Sequence, residues 1–359
     1  MRSPNWTRIL LGIGGIALLC GIAASMLPDN PYQRFSTLEN TIQARIRWIY
    51  ERINYDPAPI DVAVLGSSRW GAAIDSSRLQ ADLARLGRPL TTVNFALPEN
   101  GRDLHWVILQ ELLRKKHPRL LVIGVIEKPS RLGHPAYKYV APTREVVDPA
   151  YPGNLNYLSN LVYLPYRQLR LFGASLSPAA FGLPSGPDLA HYTGSNNENA
   201  FAFHTDDGKL IDRDRPVDRA VLAAQVRRYE EGVHPPFLDH RLAGIEFGDE
   251  RAYTARMASA ARSRGIPVVF MFLPYYTGPH SVQERAFYER FGPIIDASFL
   301  STHDELYADV AHLNRHGGAV LTDWLAPRLA AYLDRTVPPA IAVAQDVSGR
   351  QAKAANLGR

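Results

Sequence analysis

The hydrophobic pattern opens with Ile9 to Leu27, nineteen residues without a charge, preceded by Arg2 and Arg8 and followed by Pro28-Asp29-Asn30-Pro31. A run of that length spans a bilayer core of about 30 Å as a helix. Residues 1–28 therefore read as a single-pass membrane anchor, with the short basic N-terminus in the cytoplasm and the rest of the chain outside. A cleaved signal peptide is the alternative, with Ala23-Ala24-Ser25 as its processing site. Beyond the anchor, residues 29–58 form a linker. There Ser36-Thr37-Leu38-Glu39 has capping-box spacing, and Leu38, Ile42, Ile46, Ile49 and Ile53 recur at helical intervals. This predicts an amphipathic helix with its stripe packed on the following domain.

From residue 59 the period changes. Asp61 to Leu65 is an apolar run that reads as a buried strand, and Leu79, Leu83 and Leu86 mark a helix ending at Gly87. Thr91 to Leu97 is a second strand; Leu104, Val107, Ile108 and Leu112 give a helix stopped by Lys115-Lys116-His117-Pro118; Arg119 to Ile126 is a third strand. From about 133 to 248 the pattern turns to Pro, Gly, Tyr, Asn and mixed charge, and predicts a large insertion with one helix near Val217 to Glu230. Regular structure resumes with a helix over Asp249 to Arg264, a strand over Val268 to Leu273, and helices over Val282 to Ile295 and Thr322 to Leu333. Strands alternating with helices predict an α/β fold, a three-layer doubly wound parallel sheet across 59–335. The polar, Ala-rich segment 336–359 is expected to be a disordered tail.

Composition adds little to this picture but narrows the partners. The chain has 359 residues, 46% of them hydrophobic, with net charge +5 and pI near 9.2. Acids and bases are mixed, and no basic stripe or reader motif points to nucleic acid. A mildly basic surface suits an anionic envelope or polymer. The one cysteine, Cys20, lies inside the apolar run, so the exported part carries no disulfide.

Candidate chemistry gathers at two places. Gly66-Ser67-Ser68 follows the first strand, at the edge where open α/β sheets hold their ligands, and a helix starting near Ser76 would add free N–H groups. Far along the chain, Asp309-Val310-Ala311-His312 spaces an acid so that it holds one imidazole nitrogen while the other faces a hydroxyl. Rival motifs fit less well. Gly66 and Gly71 enclose four residues, too many for a nucleophile elbow, and no P-loop lysine is present. His312, His316 and Asp309 lack a matching second cluster, so no metal site is expected.

Together the two stretches resemble the SGNH (GDSL-like) hydrolase superfamily. The Gly-Ser-Ser form is most similar to membrane-anchored bacterial members, such as the D-alanyl-transfer protein and proteins of exopolysaccharide O-acetylation. The resemblance implies Ser68 as nucleophile, Asp309 as orienting acid and His312 as base, with Ser67 standing where the family has aspartate. It implies an oxyanion donor from Gly101 or Asn100 in Pro98-Glu99-Asn100-Gly101, and it puts Glu127 where many members carry asparagine. Arg69 would pair with an anionic substrate or form a salt bridge, and Tyr275 or Tyr276 would touch substrate or form a buried lip. Tyr192, Asn196, Asn197, Phe201, Phe203 and His204 would line a glycan groove or an ordinary polar loop. No cofactor is implied. The expected function is a serine esterase or O-acyltransferase outside the cytoplasmic membrane, acting on acyl esters of an envelope or secreted glycan, with a multi-pass membrane acyltransferase as a possible partner. A non-catalytic glycan-binding or assembly subunit with the same fold is the alternative.

Overall fold

The computed structural model describes residues 6–125, 131–192, 194, 202–204, 210–214, 216–232 and 238–336. The tail expected at 336–359 therefore lies outside the described residues beyond 336. Helix α1 (Trp6–Ser25) is long and apolar enough to cross a membrane, and none of its apolar window is buried. Side chains this greasy and this exposed fit a membrane anchor or a signal sequence.

The single linker helix expected from the capping box is instead two, α2 (Pro31–Ser36) and α3 (Arg45–Asn54). Ser36 does not cap a new helix: its Oγ donates back to the Tyr32 carbonyl at 2.8 Å and closes α2. The predicted stripe is nevertheless used, because Leu38, Ile46, Ile49 and Ile53 are all buried in the domain core.

The domain is α/β. In chain order come β1 (Val62–Leu65), α4 (Ser68–Ala73), α5 (Ser76–Arg85), β2 (Thr92–Asn94), α6 (Arg102–Lys115) and β3 (Leu120–Val125). Two short helices follow, α7 (Tyr137–Val140) and α8 (Thr143–Val147), then α9 (Tyr157–Leu176), a hairpin β4 (Ala202–His204) and β5 (Leu210–Asp212), α10 (Arg219–Gly232) and α11 (Ala243–Glu246). Last are α12 (Gly248–Arg262), β6 (Val268–Phe272), α13 (Arg285–Tyr288), β7 (Ile294–Asp296) and α14 (Arg315–Thr336). Five strands form one parallel sheet in the order β2-β1-β3-β6-β7. Its strands read as continuous apolar runs because both faces are covered. Ala63, Leu65, Leu121, Ile123 and Phe270 join a core with residues of α3, α6 and α12, while Val62, Val64, Val122, Val269 and Met271 join another with residues of α5 and α14.

Three expectations are corrected. The helix predicted over Val282 to Ile295 is only the single turn α13, followed by the edge strand β7. Gly292-Pro293 ends it: the Phe270 N–H donates to the Pro293 carbonyl at 2.9 Å, and this pairing draws Ile294 into register with Phe270. The segment 133–248, expected as an insertion with one helix, also holds a 20-residue helix, α9, that its mixed composition concealed. The final helix begins at Arg315, well before Thr322, because Asn314 caps it: the Gly317 N–H donates to Asn314 Oδ1 at 2.9 Å.

Candidate active site

The serine turn is set by glycine and tryptophan together. Ser67 is the extended N-cap of α4, and its carbonyl accepts from the N–H groups of Trp70 at 3.0 Å and Gly71 at 3.2 Å. The helix expected near Ser76 is α5, capped by Asp75, which accepts from the Arg78 N–H at 2.8 Å; the short helix α4 precedes it and begins at Ser68 itself. Trp70, fully buried, lays its indole across the ends of two strands. A Cβ on Gly66 would stand 2.8 Å from the ring, and one on Gly124 would overlap it outright. Both positions need glycine for this close approach. Asn94, at the end of β2, donates to the carbonyls of Trp70 at 2.9 Å and Ile74 at 3.0 Å, which fastens the far end of α4.

The histidine comes from a compact loop closed by an isolated bridge between Tyr307 and Leu313, just ahead of α14. Asp309 Oδ1 accepts from the backbone N–H groups of Ala311 and His312, each at 2.9 Å. The same carboxylate receives the imidazole Nδ1–H, at 2.7 Å to Oδ1 and 2.9 Å to Oδ2. One side chain therefore both folds the turn and orients the ring. Asn314 holds the loop from the other side, donating to the Glu305 carbonyl at 2.8 Å. Gly318 permits α14 to approach α4, since a Cβ there would lie 2.8 Å from the Ala72 carbonyl oxygen.

This packing places Ser68 Oγ 2.7 Å from His312 Nε2 across a separation of 244 residues. With the Nδ1 proton given to Asp309, Nε2 is the acceptor and the serine hydroxyl the donor, an assignment that follows from the hydrogen-bond pattern. Ser68, His312 and Asp309 are each partly buried. Burial lowers the His312 pKa, and the charges of Arg213 and Arg69 lower it further; these outweigh the Asp309 carboxylate, which acts to raise it. For Asp309, burial alone would raise the pKa, but the His312 interaction and then the Arg213 charge hold it well below the usual range. At neutral pH the pair is thus a neutral imidazole against an ionised carboxylate, the state that a general base requires.

Two arginines border the triad. Arg213, just after β5, sets its Nε 3.4 Å from Asp309 Oδ2. Arg69 follows the serine and is buried; its Nη2 donates to the Tyr229 hydroxyl at 2.7 Å, and the guanidinium lies about 6 Å from the centres of the Tyr229 and Tyr275 rings. Tyr275 in turn donates to Glu230 at 3.0 Å. Helix α10 is thereby tied to the serine turn.

Other expected residues fall elsewhere. Ser67 is buried, and its hydroxyl makes no cap bond. Gly101 leads into α6 with the His134 backbone filling the space where a Cβ would sit, and Asn100 is half-buried beside it. Among the described residues neither is hydrogen-bonded to Ser68 or His312. Tyr275 and Tyr276 are buried and form the aromatic lip. Tyr192 donates to Asp56 at 2.7 Å; Asp56 lies just before β1, at the sheet edge opposite the serine, so Tyr192 lines no groove at Ser68. Glu127, Asn196, Asn197 and Phe201 lie outside the described residues, as do the side chains of Phe203 and His204. Sequence reasoning missed Arg213, Tyr229, Asn94 and Gly124. Only Gly124, interrupting an apolar strand, carried a signal, since such a glycine often marks a close backbone approach. No protein-family model matches this sequence, and no curated protein matches it either.

Proposed function

We propose that the protein is a serine esterase or O-acyltransferase of SGNH-like type, held at the membrane by α1 and acting outside the cytoplasm on acyl esters of an envelope or secreted glycan. The observation that carries this reading is the continuous chain from Ser68 Oγ through His312 to the Asp309 carboxylate, at 2.7 Å in both links. The resemblance of the Gly-Ser-Ser turn and the Asp-Xaa-Xaa-His pair supports it, as does the site's position beyond β1.

In the proposed reaction Ser68 Oγ attacks the ester carbonyl carbon while its proton passes to His312 Nε2. The carbonyl electron pair moves onto oxygen, where the positive end of α4 and the nearby arginines favour negative charge. Collapse of this intermediate breaks the bond to the alcohol oxygen, which takes the proton from His312. Water or a sugar hydroxyl then attacks the acyl-serine by the same path in reverse. General-base assistance of this kind contributes about 10²–10⁴ in rate.

Fluorophosphonate labelling tests the proposal. Labelling of the wild type and of Ser67→Ala, together with its loss in Ser68→Ala, is the expected result. A wild type that never labels sinks the catalytic reading and favours a binding or assembly subunit.

A further inference from the structure

Helix α9 carries a stripe that the domain leaves uncovered. Leu158, Val162, Tyr166, Leu169 and Leu176, with Leu155 just ahead of the helix, are each 53 to 80% exposed and recur at helical spacing. The opposite face, with Asn160, Leu164, Arg167, Gln168, Leu171 and Ala174, is buried, and α9 contains no acidic residue. An amphipathic helix that meets only water on its apolar face loses the gain that normally holds it in place.

Its location identifies the occupant. The C-terminal part of α1 packs against α9: the Pro165 ring lies 3.8 Å from where a Gly21 Cβ would stand, and Gln168 Nε2 donates to the Leu27 carbonyl at 2.8 Å. The uncovered stripe of α9 therefore adjoins the helix whose exposed surface, including Leu18, Leu19 and Ile22, carries no charged residue from Leu10 onward. A cluster of tyrosines borders it. Tyr163 meets Tyr139 edge-on at 5.2 Å and Tyr166 at a tilt at 5.5 Å, and Lys138 Nζ sits 5.2 Å from the Tyr139 ring and 5.3 Å from the Tyr163 ring. Tyrosine with lysine beside an apolar stripe is the composition of a membrane–water boundary.

We propose that α9 lies in the headgroup boundary of the bilayer that α1 spans, and that lipid covers its stripe. This rests on α1 being a retained span and not on the chemistry of Ser68. A second attachment point beside the first stops the domain swivelling on its anchor, so the serine site is held at a fixed height and orientation above the membrane.

Spin labels on the full-length chain in phospholipid nanodiscs test this. In a Cys20→Ser background, single cysteines are introduced as Leu158→Cys, Val162→Cys and Leu169→Cys, with Ile16→Cys as a membrane reference and Arg85→Cys as a solvent reference. The expected result is that the three stripe positions relax more with oxygen than with a nickel chelate, at a depth of about 5–10 Å, while Arg85→Cys does the reverse. Nickel access equal to that of Arg85→Cys overturns the proposal. Protection from both relaxers overturns it too, with spin–spin broadening then assigning the stripe to a second copy. An Ile16→Cys label outside the lipid removes its premise and overturns it equally.

Discussion

Substituting Gly124→Ala separates the position of the serine from its chemistry. The added methyl would occupy the space of the Trp70 indole, which is fully buried between the sheet and its covering helices. Overpacking of this sort costs about 1–3 kcal/mol, and a domain of this size loses about 2–4 °C in Tm per kcal/mol. Because Asn94 fastens the carbonyls at the far end of α4, the displacement of Trp70 is passed to the helix start, where Ser68 lies. The Ser68–His312 hydrogen bond is 2.7 Å long. A shift of about 1 Å takes it past hydrogen-bonding reach, and misplacement on that scale costs about 10² in rate. The assay pairs thermal melting by circular dichroism with the pseudo-first-order rate of fluorophosphonate labelling. Gly124→Ala should lower both, and the double variant Gly124→Ala/Trp70→Phe, with a smaller ring in the slot, should recover part of each. A Gly124→Ala protein that melts lower yet labels at the wild-type rate refutes the claim that the indole slot positions Ser68.

Other outcomes follow from the same geometry. Asp309→Asn keeps the shape but gives the imidazole the wrong tautomer, so labelling should fall by about 10⁴, with a cooperative melt showing the fold intact. Because burial depresses the His312 pKa, the labelling rate should hold its plateau to below about pH 6.5 and fall only in more acid buffer; Arg213→Gln, by removing a positive charge, should move that fall to higher pH. The sign for stability agrees: unfolded His312 binds protons more readily than folded, so its contribution is present above about pH 6.5 and is lost as pH drops. The opposite holds at Asp103, which burial pushes up to about 7 and whose Oδ2 has no hydrogen-bond partner among the described residues. Stability contributed by its protonated form is lost as pH rises through about 7, so Asp103→Asn should gain Tm over wild type more at pH 8 than at pH 5. Equal gains at both pH values contradict the assignment.

The sheet strands were legible because burial on both faces demands continuous apolar runs, as in Val62 to Leu65 and Leu120 to Val125. The Gly-Ser-Ser turn and the Asp-Xaa-Xaa-His pair were legible from residue type and spacing, since each builds a local turn, while the choice of Ser68 over Ser67 as the partner of His312 came from the family resemblance. What stayed hidden depends on tertiary contact. The edge strand β7 looked helical because Ile294 and Ile295 continue an apolar pattern, and only its pairing with β6 marks it as a strand. Helix α9 was obscured by Pro165 and by apolar residues on two faces, one set turned to the core and the other outward. Arg213 lies in a stretch with no periodicity of its own, and its contact with Asp309 exists only once the end of β5 meets the histidine loop.

The turn at Asp309 has a mechanical consequence. Acid and base are assembled within four consecutive residues and share one carboxylate, so their alignment survives any movement of the loop as a whole. The Ser68–His312 distance, by contrast, is set by how α14 seats on α4 through Gly318. Sliding between those two helices would act like a clutch, engaging or releasing the hydroxyl while the imidazole and its acid travel together as one cartridge.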